Sequence, residues 1–291
     1  MTQDNKNFLN YISRKKVDMN DVITLLFLNY IERGQDGKLY SSDDYLPQNL
    51  IRIYYSNITE PRFNSMWDSF KQEYIFNESE LEDAHSQIEK EGLGIVYDYI
   101  NSITMKNLTI YQICNLNQLL FSKAPHPEYG GRFRNEDRFL PNSGIELCDW
   151  RMIPSEIQKL YPTVNELIAR GNELRLNRNP DGILDYINDC LKVKAKIIEI
   201  HPFGDGNGRT ARAFLNILFK LANIPPVYVK TNEKKEYGKA MNKAIVENNF
   251  SDLEQFYYYK ICDSIIDLQY GRVKKEKDRA LKLLKSEKNE D

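Results

Sequence analysis

The sequence predicts a mostly α-helical protein carrying one small β-hairpin. Three observations point there. Apolar residues recur at three- and four-residue spacing along most of the chain. Breakers fall between those stretches, and a single stretch, Gly130 to Ile153, escapes the helical pattern.

Taken in order, helical periodicity covers Asp21–Ile31, Glu80–Glu91, Ile95–Ile103, Ile110–Phe121, Pro162–Leu176, Gly182–Ile200, Thr210–Asn223 and Lys234–Asn248. The clearest stripe is Ile183, Leu184, Ile187, Cys190, Leu191, Ile197 and Ile198, which reads as one face of a buried helix. Gly92, Gly171 and the Ile224-Pro225-Pro226 step supply stops. From Gly130 to Ile153 there are adjacent glycines, then Pro141 and Gly144, with short apolar or aromatic pieces at Phe133, Phe139, Leu140, Ile145 and Leu147. That composition suits a hairpin better than a helix.

The chain has 291 residues, enough for one large domain or two smaller ones with a sizeable core. It is 41% hydrophobic and 28% charged, in the range of globular proteins rather than disordered or membrane ones. With 40 basic and 42 acidic residues the formal charge is −2, which argues against a broad nucleic-acid or anionic-membrane surface. Val22–Ile31, interrupted by Thr24 and Asn29, is too short to cross a bilayer. Met1–Asn7 lacks the basic-then-apolar order of a secretory signal, so a cytoplasmic location is the expectation. Cys114, Cys148, Cys190 and Cys262 lie far apart with no CxxC pair, and are expected as reduced, buried thiols. Arg272–Asp291 holds eight basic and five acidic residues; it reads as a solvated terminal helix or a partner-binding arm.

One segment carries chemistry: His201-Pro-Phe-Gly-Asp-Gly-Asn-Gly-Arg-Thr-Ala-Arg212, set between two strongly apolar helices. Its glycines free the backbone to turn amides toward one point. The following helix presents its unpaired N–H groups and positive dipole end to the same point. Loop and helix start therefore make an anion cradle. Arg209 and Arg212, three residues apart in the first turn, oppose the helix dipole and need a multiply charged anion to justify them. The reading is a polyphosphate site. Asp205, the only carboxylate of the loop, suits Mg²⁺ shared with phosphates. His201, at the end of the preceding helix, suits a general base. A P-loop is excluded, because Gly204 and Gly208 bracket three residues, Arg209 stands where lysine is needed, and a helix precedes. The Rossmann fingerprint fails on spacing, and an EF-hand starting at Asp205 fails at Thr210 and Asn216.

The twelve residues His201–Arg212 resemble the signature of the Fic (Fido) family, HPFx[DE]GNGRxxR, at every defined position. The resemblance covers about Asn107 to Ile261 and implies a Fic-type helical bundle with a β-hairpin flap. It divides the chain into an N-terminal helical region 1–79, an inhibitory helix and connector 80–106, a Fic core 107–262 and a charged tail 263–291. It implies a protein adenylyltransferase that moves AMP from ATP, with Mg²⁺, to a Ser, Thr or Tyr hydroxyl of a protein. His201 would deprotonate that hydroxyl and Asp205 would hold the metal. Gly206, Asn207, Gly208, Arg209 and Arg212 would bind phosphates, while Phe203 would anchor the loop. Gly208 resembles the AMP-transferring branch, because the kinase-like branch carries lysine there. Tyr237 resembles an aromatic beside the base pocket, although Gly238 departs from the usual second tyrosine and core packing serves Tyr237 equally. Gly131 to Ile145, with Arg134, Asn135 and Phe139, resembles the flap that docks a target by strand addition.

His85-Ser-Gln-Ile-Glu89-Lys90 resembles the inhibitory [ST]xxxE[GN] helix, with His85 and Lys90 departing from it. In that resemblance Glu89 competes with phosphate for Arg212. Self-modification and homodimerisation are implied as family habits, and nucleic acid and membrane partners are not. A nucleotide-binding regulatory module and a de-AMPylase of the same fold are the alternatives.

Overall fold

The structure, a computed structural model, describes residues 31–33, 39–41, 46–58, 60–105, 108–140 and 143–265. The tail Arg272–Asp291 and all but the last residue of the expected helix Asp21–Ile31 lie outside the described residues. Ile31 itself opens a strand. Strands β1 (Ile31–Arg33) and β2 (Leu39–Ser41) pair antiparallel, Ile31 opposite Ser41 and Arg33 opposite Leu39.

Helices follow: α1 (Leu46–Asn57), α2 (Glu60–Ser69), α3 (Lys71–Leu81), α4 (Gln87–Ser102), α5 (Gln112–Leu120), α6 (Ile153–Asn177), α7 (Ile183–Ile200), α8 (Asn207–Leu221), α9 (Lys234–Val246) and α10 (251–265). The core is built around α8. Its Ala211, Phe214, Leu215, Ile217, Leu218 and Phe219 are all buried, because α4, α5, α6 and α7 surround it. Its buried polar residues Asn207, Thr210, Arg212 and Asn216 are each hydrogen-bonded, as burial requires.

Three expectations are corrected. The helix expected over Glu80–Glu91 is two helix ends and a turn: α3 stops at Leu81, Asp83 takes a left-handed φ of 54°, and Ser86 caps α4. The helix expected from Pro162 begins nine residues earlier at Ile153, with a proline in its first turn where no N–H is missed. Pro162 stands on the exposed side of α6, where water can serve the carbonyl left unpaired.

The hairpin expected within Gly130–Ile153 does not form among its described residues. Among the described residues of that segment one bridge occurs, and it joins Phe133 to Phe203. The main chain of the segment pairs with the motif loop there, at Phe133 and Arg134. Arg134 fixes that pairing, as its hydrogen bonds below show.

Candidate active site

Helix α7 ends at His201, which adopts the left-handed conformation (φ 51°, ψ 59°) and returns its N–H to the Ile197 carbonyl at 3.0 Å. The chain then loops through Pro202–Gly206 and re-enters helix at Asn207. Gly206 must be glycine: its φ is 74°, and a Cβ there would meet Phe121, Leu120 and Asn117 at 2.8–3.1 Å. Asn207 staples the loop from inside. Its Oδ1 accepts the Phe203 N–H at 2.9 Å and its Nδ2 donates to the Phe203 carbonyl at 2.8 Å. The Phe203 ring is buried, in agreement with an anchoring role. Asn117, which sequence reasoning missed, binds three segments together. It donates to Asp205 O at 3.0 Å and Thr210 Oγ1 at 3.2 Å, and accepts from Gly131 N at 2.9 Å.

His201, Gly208 and Arg212 share one cavity of about 830 Å³ with Glu82, with Leu140, Ser143 and Ile145, and with Tyr237, Met241 and Asn242 of α9. A volume of this order suits a nucleotide-sized ligand. Inside it, a carboxylate already sits where an anion is expected. Glu82 Oε1 lies 2.6 Å from Arg212 Nη2, and close enough to Gly208 that a Cβ there would meet it at 2.9 Å. The fully buried Glu78 grips the same guanidinium from behind, with bonds of 2.9, 2.9 and 2.8 Å. Burial pushes the Glu82 carboxyl up, but the Arg212 charge and hydrogen bond, with Arg209 and Lys234 farther out, hold it below the usual range.

The Fic/DOC family model matches residues 107–219. Residues 107–219 are a Fic/DOC domain. The chain is 29% identical over 168 residues to "Protein adenylyltransferase Fic" of Nematostella vectensis, covering 57% of this chain and 35% of that protein. It is 32% identical over 108 residues to "Protein adenylyltransferase fic-1" of Caenorhabditis elegans, covering 36% of this chain and 20% of that one. The chain thus spans about a third or less of the length of these relatives. Two solved structures share the helical fold. Fic-1 of C. elegans (residues 134–508) superposes with a TM-score of 0.58 at 18% identity, over 77% of this chain and 70% of that one. A Fic domain containing signaling protein from Bacteroides thetaiotaomicron gives 0.59 at 16% identity, over 78% and 96%.

Within the Fic/DOC domain the motif residues divide. His201, Gly208 and Arg212 line the cavity, and so does Tyr237 from α9. Arg209 does not. The two arginines diverge instead of sharing a face: Arg212 turns to α3, and Arg209 lies 5.5 Å from the Phe121 ring centroid. Arg209 Nη2 is 3.5 Å from Asp205, while its buried Nε and Nη1 make no hydrogen bond. Asn207 spends both ends of its amide on Phe203, so it shapes the cradle rather than touching a ligand. The Gly206 N–H is likewise occupied, donating to Asp205 Oδ1 at 2.5 Å. Asp205 itself is 74% exposed at the loop.

Glu89 does not reach Arg212. Its Oε2 accepts from Ser86 Oγ at 2.6 Å and from Ser86 N at 3.3 Å, while Ser86 Oγ accepts the Glu89 N–H at 3.2 Å. This is a capping box at the start of α4. The remaining oxygen stands 3.8 Å from Arg209 Nη1. The carboxylates that hold Arg212 come from the preceding helix and its end, Glu78 and Glu82. Of the residues expected in the flap, Asn135 and Phe139 are exposed, Phe139 at 80%, while Arg134 is buried with its guanidinium on backbone carbonyls.

Electrostatics set the remaining site residues. Burial lowers the His201 pKa below its usual value; Arg134 and Arg138 add to this, against the Ile198 carbonyl and Asp205. Its Nδ1 is sealed from solvent, which leaves Nε2 as the nitrogen for the cavity. Tyr237 is 9% exposed and packs its ring 5.7 Å from that of Phe256. Its hydroxyl accepts from Lys194 Nζ at 2.6 Å. Burial, then the Arg212 charge, depress the Lys194 amine well below its ordinary value, against the pull of Glu78.

Proposed function

We propose that this protein is an adenylyltransferase that moves AMP from ATP to the hydroxyl of a Ser, Thr or Tyr on a protein. One observation carries the reading: a carboxylate bound between the Arg212 guanidinium and Gly208 at the start of α8, in a cavity that also holds His201. An oxyanion in that place marks an anion site supplied by the helix N-terminus and an arginine. The names of the relatives agree with nucleotide transfer.

In this mechanism the triphosphate tail takes the place of the Glu82 carboxylate on Arg212. Glu78 stays, buried, as the standing counter-ion of that arginine. His201 Nε2 removes the proton of the incoming hydroxyl. The hydroxyl oxygen bonds to the α-phosphorus as the bond to the bridging oxygen breaks, and pyrophosphate leaves with the electron pair. Free N–H groups in the first turn of α8 face the charge that grows on the phosphoryl oxygens. Asp205 suits a divalent ion such as Mg²⁺, since it is a single exposed carboxylate with one oxygen engaged by the Gly206 N–H. When bound there, Mg²⁺ neutralises phosphate charge.

Glu82 is also a restraint, because ATP must displace it. α-labelled ATP with Mg²⁺ and a lysate tests the reading. Label should enter protein with wild type, rise severalfold with Glu82→Ala, and vanish with His201→Ala. Nucleotide binding without label from Glu82→Ala would point to a regulatory module instead. Label from the γ position alone would point to phosphate transfer.

A further inference from the structure

We infer that Arg134 is the positioning residue of the catalytic histidine: its main chain and guanidinium together hold the three consecutive carbonyls of Ile200, His201 and Pro202. The inference rests on His201 acting as the base. The Arg134 N–H donates to Pro202 O at 2.8 Å, its Nε to His201 O at 2.7 Å, and its Nη2 to Ile200 O at 3.3 Å. Nη1 donates to Glu136 O at 2.7 Å and Nη2 also to Cys148 O, so the same fork ties down both arms of the 131–149 segment. Arg134 is 6% exposed.

The need for such a clamp follows from the backbone. A helix leaves its last carbonyls without partners. His201 closes α7 in the left-handed conformation, which a non-glycine residue adopts only when its surroundings hold it there. The guanidinium serves four carbonyls at once, those of Ile200, His201, Glu136 and Cys148, which its flat fork of five donors permits and the three donors of a lysine do not. A lysine keeps the charge and loses the fork.

The clamp also brings a cation to the imidazole. Facing His201 are Arg134 and Arg138 from the 131–149 segment and Asp205 from the motif loop. Across the cavity stand Glu82 and Arg212, and, from α9 and beyond, Lys235, Lys239, Lys243, Glu247 and Asp252. Of these, Arg134 is the one in contact with the His201 main chain.

Two substitutions separate geometry from charge. With three histidines in the chain, ring C–H NMR follows each titration in the full-length protein, and His201→Gln assigns the signal. Arg134→Lys should lower kcat for AMP transfer roughly tenfold to a hundredfold, with KM for ATP held within about twofold, and leave the His201 midpoint near wild type. Arg134→Met should lower kcat as much and also raise the His201 midpoint by about half a pH unit or more. Calorimetry with ATP should show wild-type affinity for both. The inference is overturned if Arg134→Lys keeps its kcat, if Arg134→Met leaves the His201 midpoint in place, or if either variant loses ATP binding along with rate, the mark of a merely structural residue. Wild type that neither binds ATP nor transfers AMP would instead sink the proposed function, while the titration would still report on Arg134 and His201.

Discussion

Arg212 and His201 show how much a side chain's role depends on what faces it. The pairings of Arg212 with Glu78 and Glu82 span 134 and 130 residues of chain, so no local pattern announces them. The acidic run Glu78-Ser79-Glu80-Leu81-Glu82 signals only that two glutamates four apart share a helical side. His201 permits a pH prediction. As a base it must be neutral, and its folded pKa lies below the ordinary histidine value. The acid limb of the transfer rate should therefore have its midpoint below the ordinary histidine value of about 6.5. A rate profile with its acid midpoint above that value would contradict the assignment. For Asn207, replacement by alanine leaves the Phe203 N–H and C=O unpaired in a buried loop. We expect a loss of about 1–3 kcal/mol in denaturant unfolding and at least a hundredfold lower transfer.

The helix ends and crossings carry the next set of consequences. Ser86-x-x-Glu89 is legible in the sequence as a capping box, yet the Ile-Glu pair draws it toward an inhibitory reading. The structure separates the two. Glu89→Ala should cost roughly 1 kcal/mol by loss of the cap. It should leave AMP labelling at the wild-type level, in contrast to Glu82→Ala. Increased labelling by Glu89→Ala would restore the inhibitory role. At the crossing of α4 and α5, Gly92 brings backbones together: a Cβ there would lie 2.1 Å from the Leu120 carbonyl oxygen. Gly92→Ala must push the helices apart, at about 1–3 kcal/mol. Since Leu120 also borders Gly206, transfer should fall with it. A thermal melt and a labelling assay on one preparation would check both effects.

For the molecule as a whole, the ionic contact between α3 and α8 is also a pH-dependent strut. The folded Glu82 pKa is depressed, so its contribution is present above the unfolded carboxylate pKa and is lost as pH falls through the folded value. Melting temperature should decline through the acid range, and Glu82→Gln should flatten that decline. Under the proposed mechanism ATP competes with Glu82 for Arg212, and it should raise the melting temperature of Glu82→Gln more than that of wild type. Equal ATP shifts in the two proteins would place the nucleotide elsewhere. Among the described residues no helix is long and apolar enough to cross a membrane.

Local chemistry already marks the helical character and the glycine-rich loop and helix start at His201–Arg212 on which the proposed site rests. Periodicity, glycine spacing and the start of a helix act over a few residues, and those can be read in a line. Packing alone decides the rest: that Arg209 turns to Phe121 while Arg212 turns to α3, that Glu82 rather than Glu89 meets Arg212, and that Arg134 bonds to the His201 carbonyl. Each of those outcomes is a choice of partner between distant segments. A buried guanidinium goes to whichever carboxylate or carbonyls the folded helices bring within about 3 Å, a distance the order of residues does not encode.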